Sequence, residues 1–162
     1  MVFREMRRKK QALSQQEVAD ILHKRTSGVL ALLGDNDYPY AVPISYVYDD
    51  GKIYFHSAKS GHKIDAIQRN TKASFCVIDK DLVIPEEYTT YFRSVIAFGQ
   101  IKVIEDESEK RATIEKLAIK YAPGDTTTNR DNAINREWKP LCMLEMTIDY
   151  VTGKEAIELV KK

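Results

Sequence analysis

Residues 54–64, YFHSAKSGHKI, collect two histidines (His56 and His62), two serines (Ser57 and Ser60) and two lysines (Lys59 and Lys63) around Gly61. Such a set has hydrogen-bond donors and positive charge but few acceptors. Its chemistry suits anion binding; no serine, histidine and acid spacing suggests nucleophilic catalysis, and His62 is the first candidate for any proton transfer. The stretch lies where an extended pattern gives way to helical spacing, marked by Ile64 and Ile67 on one face of a helix over 61–70. A helix start presents free N–H groups and the positive end of its dipole, and normally attracts acids. Here His62 and Lys63 come first and Asp65 is the first acid. The mismatch costs about 0.3–1 kcal/mol, and a bound anion would reverse its sign. Ser57 and Ser60 offer hydroxyls, Ser60 also as a helix cap. Gly61 permits close backbone approach, Lys63 brings a full charge and His62 a further donor. A phosphate monoester suits this constellation. The alternative is a lysine reaching solvent beside a histidine packed on the barrel.

Two other helices, at 14–25 and 107–121, place their charges conventionally. Ser14 opens SQQE, a capping box with Glu17, and His23, Lys24 and Arg25 close that helix. The later helix opens amid Glu105, Asp106, Glu107 and Glu109, carries Ile114, Leu117, Ala118 and Tyr121 as a stripe, and stops at APG. Between them the pattern is extended. GVLALL (28–33) predicts a strand covered on both faces, YAVPISYVY (40–48) a strand, and DDG (49–51) a hairpin into KIYFHSA. KASFCVID and TTYFRSVIAFGQIKVIED follow, the latter bending at Gly99, and LCMLEMTIDYVTGKE is the last strand. Pro43 removes a ladder donor, which makes its strand an edge or a bulge. A flat ligand could lie there against the backbone of Val42, Ile44 and Ser45; the alternative is an ordinary edge proline. The pattern predicts one small antiparallel barrel, mainly β, with about three helices packed outside. The segment 125–139, with Trp138 near its end, reads as polar connection.

The 162 residues suit a single domain, with a basic arm over 1–13 and a short amphipathic tail over 154–162. MRRKK in the arm reads as a solvated segment or one lying on a partner, rather than a nucleic-acid contact. Twenty-five basic against 24 acidic residues, net charge +1, leave no electrostatic footprint for nucleic acid or an anionic membrane. No run approaches a transmembrane helix and no signal-peptide core opens the chain, so a cytoplasmic location is expected. Cys76 and Cys142 lie in apolar runs and read as buried free thiols, with a disulfide between them as the alternative. They lack zinc spacing, and no residue cluster predicts a metal.

The order MRRKK, PYAVPISY, YFHSAKSGHKID and YFRSVIAFGQ resembles the nitroimidazole-resistance (Nim) family within the pyridoxamine 5′-phosphate oxidase-like FMN-binding split barrels, over 3–151. The resemblance implies an antiparallel split barrel and a homodimer with FMN at the subunit interface. Ser57, Ala58, His62 and Lys63 would hold the phosphate and ribityl chain, and Val42, Pro43, Ile44 and Ser45 would line the isoalloxazine ring. Arg93 and Ser94 would be partner-chain contacts, and Trp138 a cover for the ring or substrate. The arginine-rich C-terminal motif of the true pyridoxamine-phosphate oxidases is absent. The implied activity is an FMN-dependent, nitroreductase-like oxidoreductase acting on a small acceptor such as a nitroaromatic, with no catalytic residue assigned. The alternatives are a flavin binder without turnover and a haem-binding barrel using His56 or His62.

Overall fold

The computed structural model describes residues 2–161. Seven strands, β1 (Ser27–Leu33), β2 (Pro39–Ser45), β3 (Val47–Asp49), β4 (Lys52–Ala58), β5 (Lys72–Ile84), β6 (Thr89–Val103) and β7 (Leu141–Glu155), form one antiparallel sheet. Their spatial order is β2-β1-β5-β6-β7-β4-β3. β2 and β3 thus occupy the two ends of the sheet although only Tyr46 separates them in sequence. The chain itself bridges the two edges, so the sheet curls into a barrel that is split at this point. Tyr46 is fully buried there, its hydroxyl donating to Leu22 O at 2.8 Å and its ring edge-on to Phe75. The predicted single strand over 40–48 is therefore two, because Tyr46 turns inward to become the hinge of the split.

Leu30, Leu32, Phe55, Phe75, Val77, Val95, Ile101, Leu144 and Met146 fill the barrel. Two helices join this core: α1 (Gln15–Lys24) through Val18, Ile21 and Leu22, and α2 (His62–Arg69) through Ile64, Ala66 and Ile67. A second layer, α3 (Glu107–Tyr121) and α4 (Thr127–Glu137), covers the outer face of β3 and β4 over Val47, Tyr54, Leu117, Leu141 and Met143. The sequence predicted three helices; α4 lies within the segment read as connection. Only Ile134 of α4 is buried, so it has no apolar stripe, and it is held by the Thr126 cap and by Arg111 of α3 reaching Asp131 and Asn135.

The DDG hairpin forms as predicted, with Asp50 and Gly51 at φ 46° and 78°. The bend at Gly99 is equally visible. The β6–β7 register slips between Phe98 and Gly99, and a Cβ on Gly99 would overlap the carbonyl oxygen of Thr147. The expectation of two covered faces for β1 is corrected within this chain. Leu30 and Leu32 are buried, while Val29 and Leu33 point to an outer face that they share with Ile78, Ile96 and Phe98, all exposed. Phe3 of the arm lies on that face, stacked on Phe98 and Tyr150. The basic arm is thus fastened to its own sheet, by Phe3 near its start and, at its end, by Gln11 Nε2 donating to Glu155 O and Leu13 N donating to Gly153 O.

Candidate functional site

The start of α2 sits directly beyond β4. Register with β7 places Ser57 opposite Cys142 and Ala58 opposite Leu141, at the strand's end. The chain then reverses through residues 59–61 into the helix. Gly61, not Ser60, is the N-cap residue, with φ 130° and ψ −173°, a region that side-chain-bearing residues essentially never occupy. Among the described residues no side chain caps this helix, so Ser60 does not take the role its sequence position offered. The other three α-helices among the described residues are capped by Ser14, Asp106 and Thr126. At α2 the N–H groups of the first turn remain unmet by any cap, Asp65 N being the first to bond back, to Gly61 O at 3.0 Å. Space beside Gly61 is open: a Cβ built there would meet nothing within 4 Å.

The side chains predicted around this turn take distinct positions. The Ser57 hydroxyl donates to Ala58 O at 2.9 Å, leaving its lone pairs free. Lys63 is half-buried beside the turn, close enough that its charge adds to burial in lowering the His56 pKa. His62 lies flat on Tyr40, ring centroids 3.9 Å apart and 23° from parallel. Its Nε2 accepts from Asp35 N at 3.4 Å and stands 3.9 Å from the Asp35 carboxylate. His56, next along β4, faces neither the barrel interior nor β2. It lines an apolar pocket of about 210 Å³ with Ile114, Leu117, Tyr121, Ile134 and Leu141, between the sheet and the α3–α4 layer.

β2 is an edge strand, as Pro43 indicated. Val42 and Ile44 turn toward the core, Pro43 stands exposed opposite Val29, and Ser45 pairs with Ser27. Arg93 and Ser94 lie at the opposite end of β7 from Ser57, paired with Glu155 and Lys154. Arg93 stands 3.6 Å from both Asp79 and Glu155, and its Nε is buried without a partner. Within one chain neither residue joins the α2 turn. Trp138 packs in the second layer, its ring under Lys110 Nζ at 4.2 Å and its carbonyl accepting from the same ammonium at 3.0 Å.

A cavity of about 450 Å³ lies by Arg93 and not at the turn. Lys10, Lys24, Arg93 and Lys161 line it against Glu17, Asp20, Asp79 and Glu155, a balanced set that gives an anion no net attraction. The turn is the better candidate because its donors are uncapped. The residue that sequence reasoning missed is Asp35. It lay in GDNDYP, read only as a turn, and nothing local reveals that this turn touches α2.

A protein-family model described as pyridoxamine 5′-phosphate oxidase matches residues 14–155. No curated protein matches the chain in sequence. Among solved structures, a proposed 5-nitroimidazole antibiotic resistance protein from Bacteroides thetaiotaomicron is similar at TM-score 0.74 and 22% identity, covering 89% of this chain and 86% of that one. A conserved protein of Mycobacterium tuberculosis aligns at TM-score 0.82 and 18% identity, over 98% and 94% of the two chains. An FAD- and haem-binding protein from Mycobacterium smegmatis aligns at TM-score 0.71 and 20% identity, over 94% and 76%. At these identities the solved structures establish the split-barrel fold. The family match, covering most of the chain, establishes the wider kinship: the protein belongs to the pyridoxamine 5′-phosphate oxidase family.

Proposed function

We propose that this protein is an FMN-dependent oxidoreductase of the Nim type, a nitroreductase-like enzyme acting on a small acceptor. The observation that carries the reading is the start of α2: an uncapped helix whose entry is a glycine in a glycine-only conformation, flanked by Ser57 and Lys63. These features fit a phosphate monoester. Open space at Gly61 admits a phosphate against the backbone, the first-turn N–H groups donate, and Lys63 neutralises charge. Ser57 and Ala58 would flank the ribityl chain. The exposed edge of β2, from Val42 to Ser45, supplies backbone polar groups for a flat ring. Bound FMN would bring hydride and electron-transfer chemistry that no side chain here provides. The chain's own part is to bind, orient and shield it.

The outer face carrying Val29, Ile78, Ile96 and Phe98 supports a homodimer, since apolar residues exposed together on a sheet mark an interaction surface. Arg93 and Ser94 would meet the flavin only across such an interface. A haem reading would rest on His56 against its apolar wall, and the M. smegmatis relative that binds both FAD and haem gives it a place.

The absorption spectrum of the purified protein tests the reading first. A flavin spectrum with FMN released on heating is expected. A Soret band would transfer the case to haem, and a colourless protein that rejects added FMN would sink both. Reduction of a nitroimidazole by the flavin-loaded protein, with dithionite or NAD(P)H as reductant, then separates an enzyme from a passive binder.

A further inference from the structure

We infer that Asp35, in the turn between β1 and β2, is a positioning residue for the anion site at the start of α2, acting through His62 and Arg69. This rests on the phosphate reading above. α2 is a short helix of eight residues, and Asp35 touches both its ends. At its first residue, the Asp35 N–H donates to His62 Nε2 at 3.4 Å, with the carboxylate 3.9 Å from the same nitrogen. At its last residue, Arg69 Nη1 donates to Asp35 Oδ1 at 2.8 Å, while Nη2 reaches Leu33 O at 3.4 Å. Tyr40, just after the turn, forms the platform on which His62 lies.

The turn is shaped for this approach. Asn36 and Asp37 take positive φ of 55° and 62°, folding the backbone tightly under the helix. Gly34 has no room for a side chain: a Cβ there would be 2.9 Å from Tyr40 Cβ and 3.1 Å from His62 Nε2. With its inner face set by Ile64, Ala66 and Ile67, α2 could still slide along its axis or tip its exposed start away from the barrel. A grip on both ends removes those motions, and with them the scatter in where the Gly61–Lys63 amides point.

The contact also changes what His62 can do. The contact from the Asp35 amide occupies Nε2, the ring nitrogen on the side of the turn. His62 therefore has only Nδ1 for any further partner, and its main part is to anchor the helix. A carboxylate near an anion site would ordinarily repel the anion. Here the hydrogen bond from Arg69 holds Asp35 ionised, its pKa below the ordinary value, and the guanidinium balances it.

The experiment compares FMN with riboflavin, which lacks the phosphate, across Asp35→Ala, Asp35→Asn and Lys63→Ala. Asp35→Ala is expected to weaken FMN about tenfold, the scale of one charged hydrogen bond, and riboflavin far less. Asp35→Asn, which can still accept from Arg69, should retain most of the FMN preference. In the Lys63→Ala background, Asp35→Ala should add little, because both act on the same phosphate. Exchange of the Asp65 amide, the first bond of α2, should quicken in the Asp35→Ala apo-protein. Equal loss of both flavins, stronger FMN binding, full additivity with Lys63→Ala, or unchanged Asp65 exchange would each overturn the positioning role. A wild-type protein that fails to prefer FMN over riboflavin would instead overturn the phosphate reading itself.

Discussion

Helices α1 and α2 enter the same core and are finished in opposite ways. α1 has both ends satisfied by side chains. Ser14 Oγ accepts from Glu17 N at 3.1 Å while the Glu17 carboxylate accepts from Ser14 N at 3.3 Å. At its other end, Lys120 of α3 donates to the carbonyls of Leu22 and Arg25 and lies 4.0 Å over the Tyr46 ring. Lys24 and Arg25 both reach Asp79, whose side chain is 3% exposed. α2 has a glycine where α1 has a serine, no returning side chain, and an aspartate clasp that is 65% exposed. One helix is closed chemically, whereas the other is held in place with its donors left open. The difference separates a structural helix from one built to meet a ligand.

The sharpest way to break this contrast is at the two aspartates. Asp79→Asn would leave the cations of α1, and Arg93, without their shared carboxylate. The expected loss is about 3 kcal/mol of stability, the low end for a broken buried pair because Lys24 and Arg25 keep solvent contact. Burial alone would raise the Asp79 pKa, but hydrogen bonds from Arg25 and Lys24 outweigh it and hold it below its usual 3.8. A carboxylate with a depressed folded pKa stabilises above its unfolded value and loses that contribution as pH falls through the folded one. Stability should therefore decline below about pH 4, and the Asn variant should show less of that decline. Asp35→Ala, at an exposed clasp, should leave the melting temperature of the apo-protein near wild type. Urea titrations of both variants across pH check this. An equal loss in each would dissolve the distinction between the two anchors.

Lys63→Ala comes next and asks whether the open end of α2 is used. FMN binding should weaken by about 1.5–3 kcal/mol and riboflavin binding much less, read by fluorescence quenching on titration. Loss of both together would place Lys63 in the fold rather than at a phosphate. Gly61→Ala tests the backbone itself. With nothing nearby to clash, its whole cost is the φ of 130°, about 1–3 kcal/mol of strain. The chain can shed that strain only by remaking the turn, so FMN affinity should fall along with the melting temperature. A Gly61→Ala variant that bound FMN normally would show that this turn is not the contact surface.

What sequence revealed here was whatever local chemistry dictates. The Ser14–Glu17 box, the Asp50–Gly51 hairpin, the limits of α3 and the Gly99 bend all depend on neighbours in sequence or on an absent side chain, and each leaves a residue-type signature. α4 left none, because a helix with one buried residue shows no period. The inward turn of Tyr46 was hidden inside a continuous β-rich run. Residues 89–94 of β6 were read as strand, but the extension of β5 over 80–84 that pairs with them in a hairpin was not. At the site, the charge inversion of His62 and Lys63 was legible but its division of labour was not. The Tyr40 stack and the Asp35 bond that occupy His62 come from a turn far away in the chain, and a spacing rule cannot report a contact made by topology.

Ser14→Ala completes the comparison from the closed side and has the smallest expected effect. Removing the hydroxyl frees the Glu17 amide, while the residue-14 amide can still donate to the Glu17 carboxylate, for a cost of about 1 kcal/mol. Because the N-terminus of α1 is solvent-exposed, water recovers part of that loss, and the helix keeps its lower anchors at Lys120 and Asp79. The melting temperature should fall by a few degrees, while the ratio of FMN to riboflavin affinity stays at its wild-type value. Lys63→Ala should do the reverse, moving the ratio with little change in melting temperature. The pair together is stronger than either alone. If Ser14→Ala also moved the flavin ratio, global loosening would account for every effect at α2, and its open donors would no longer need a ligand to explain them.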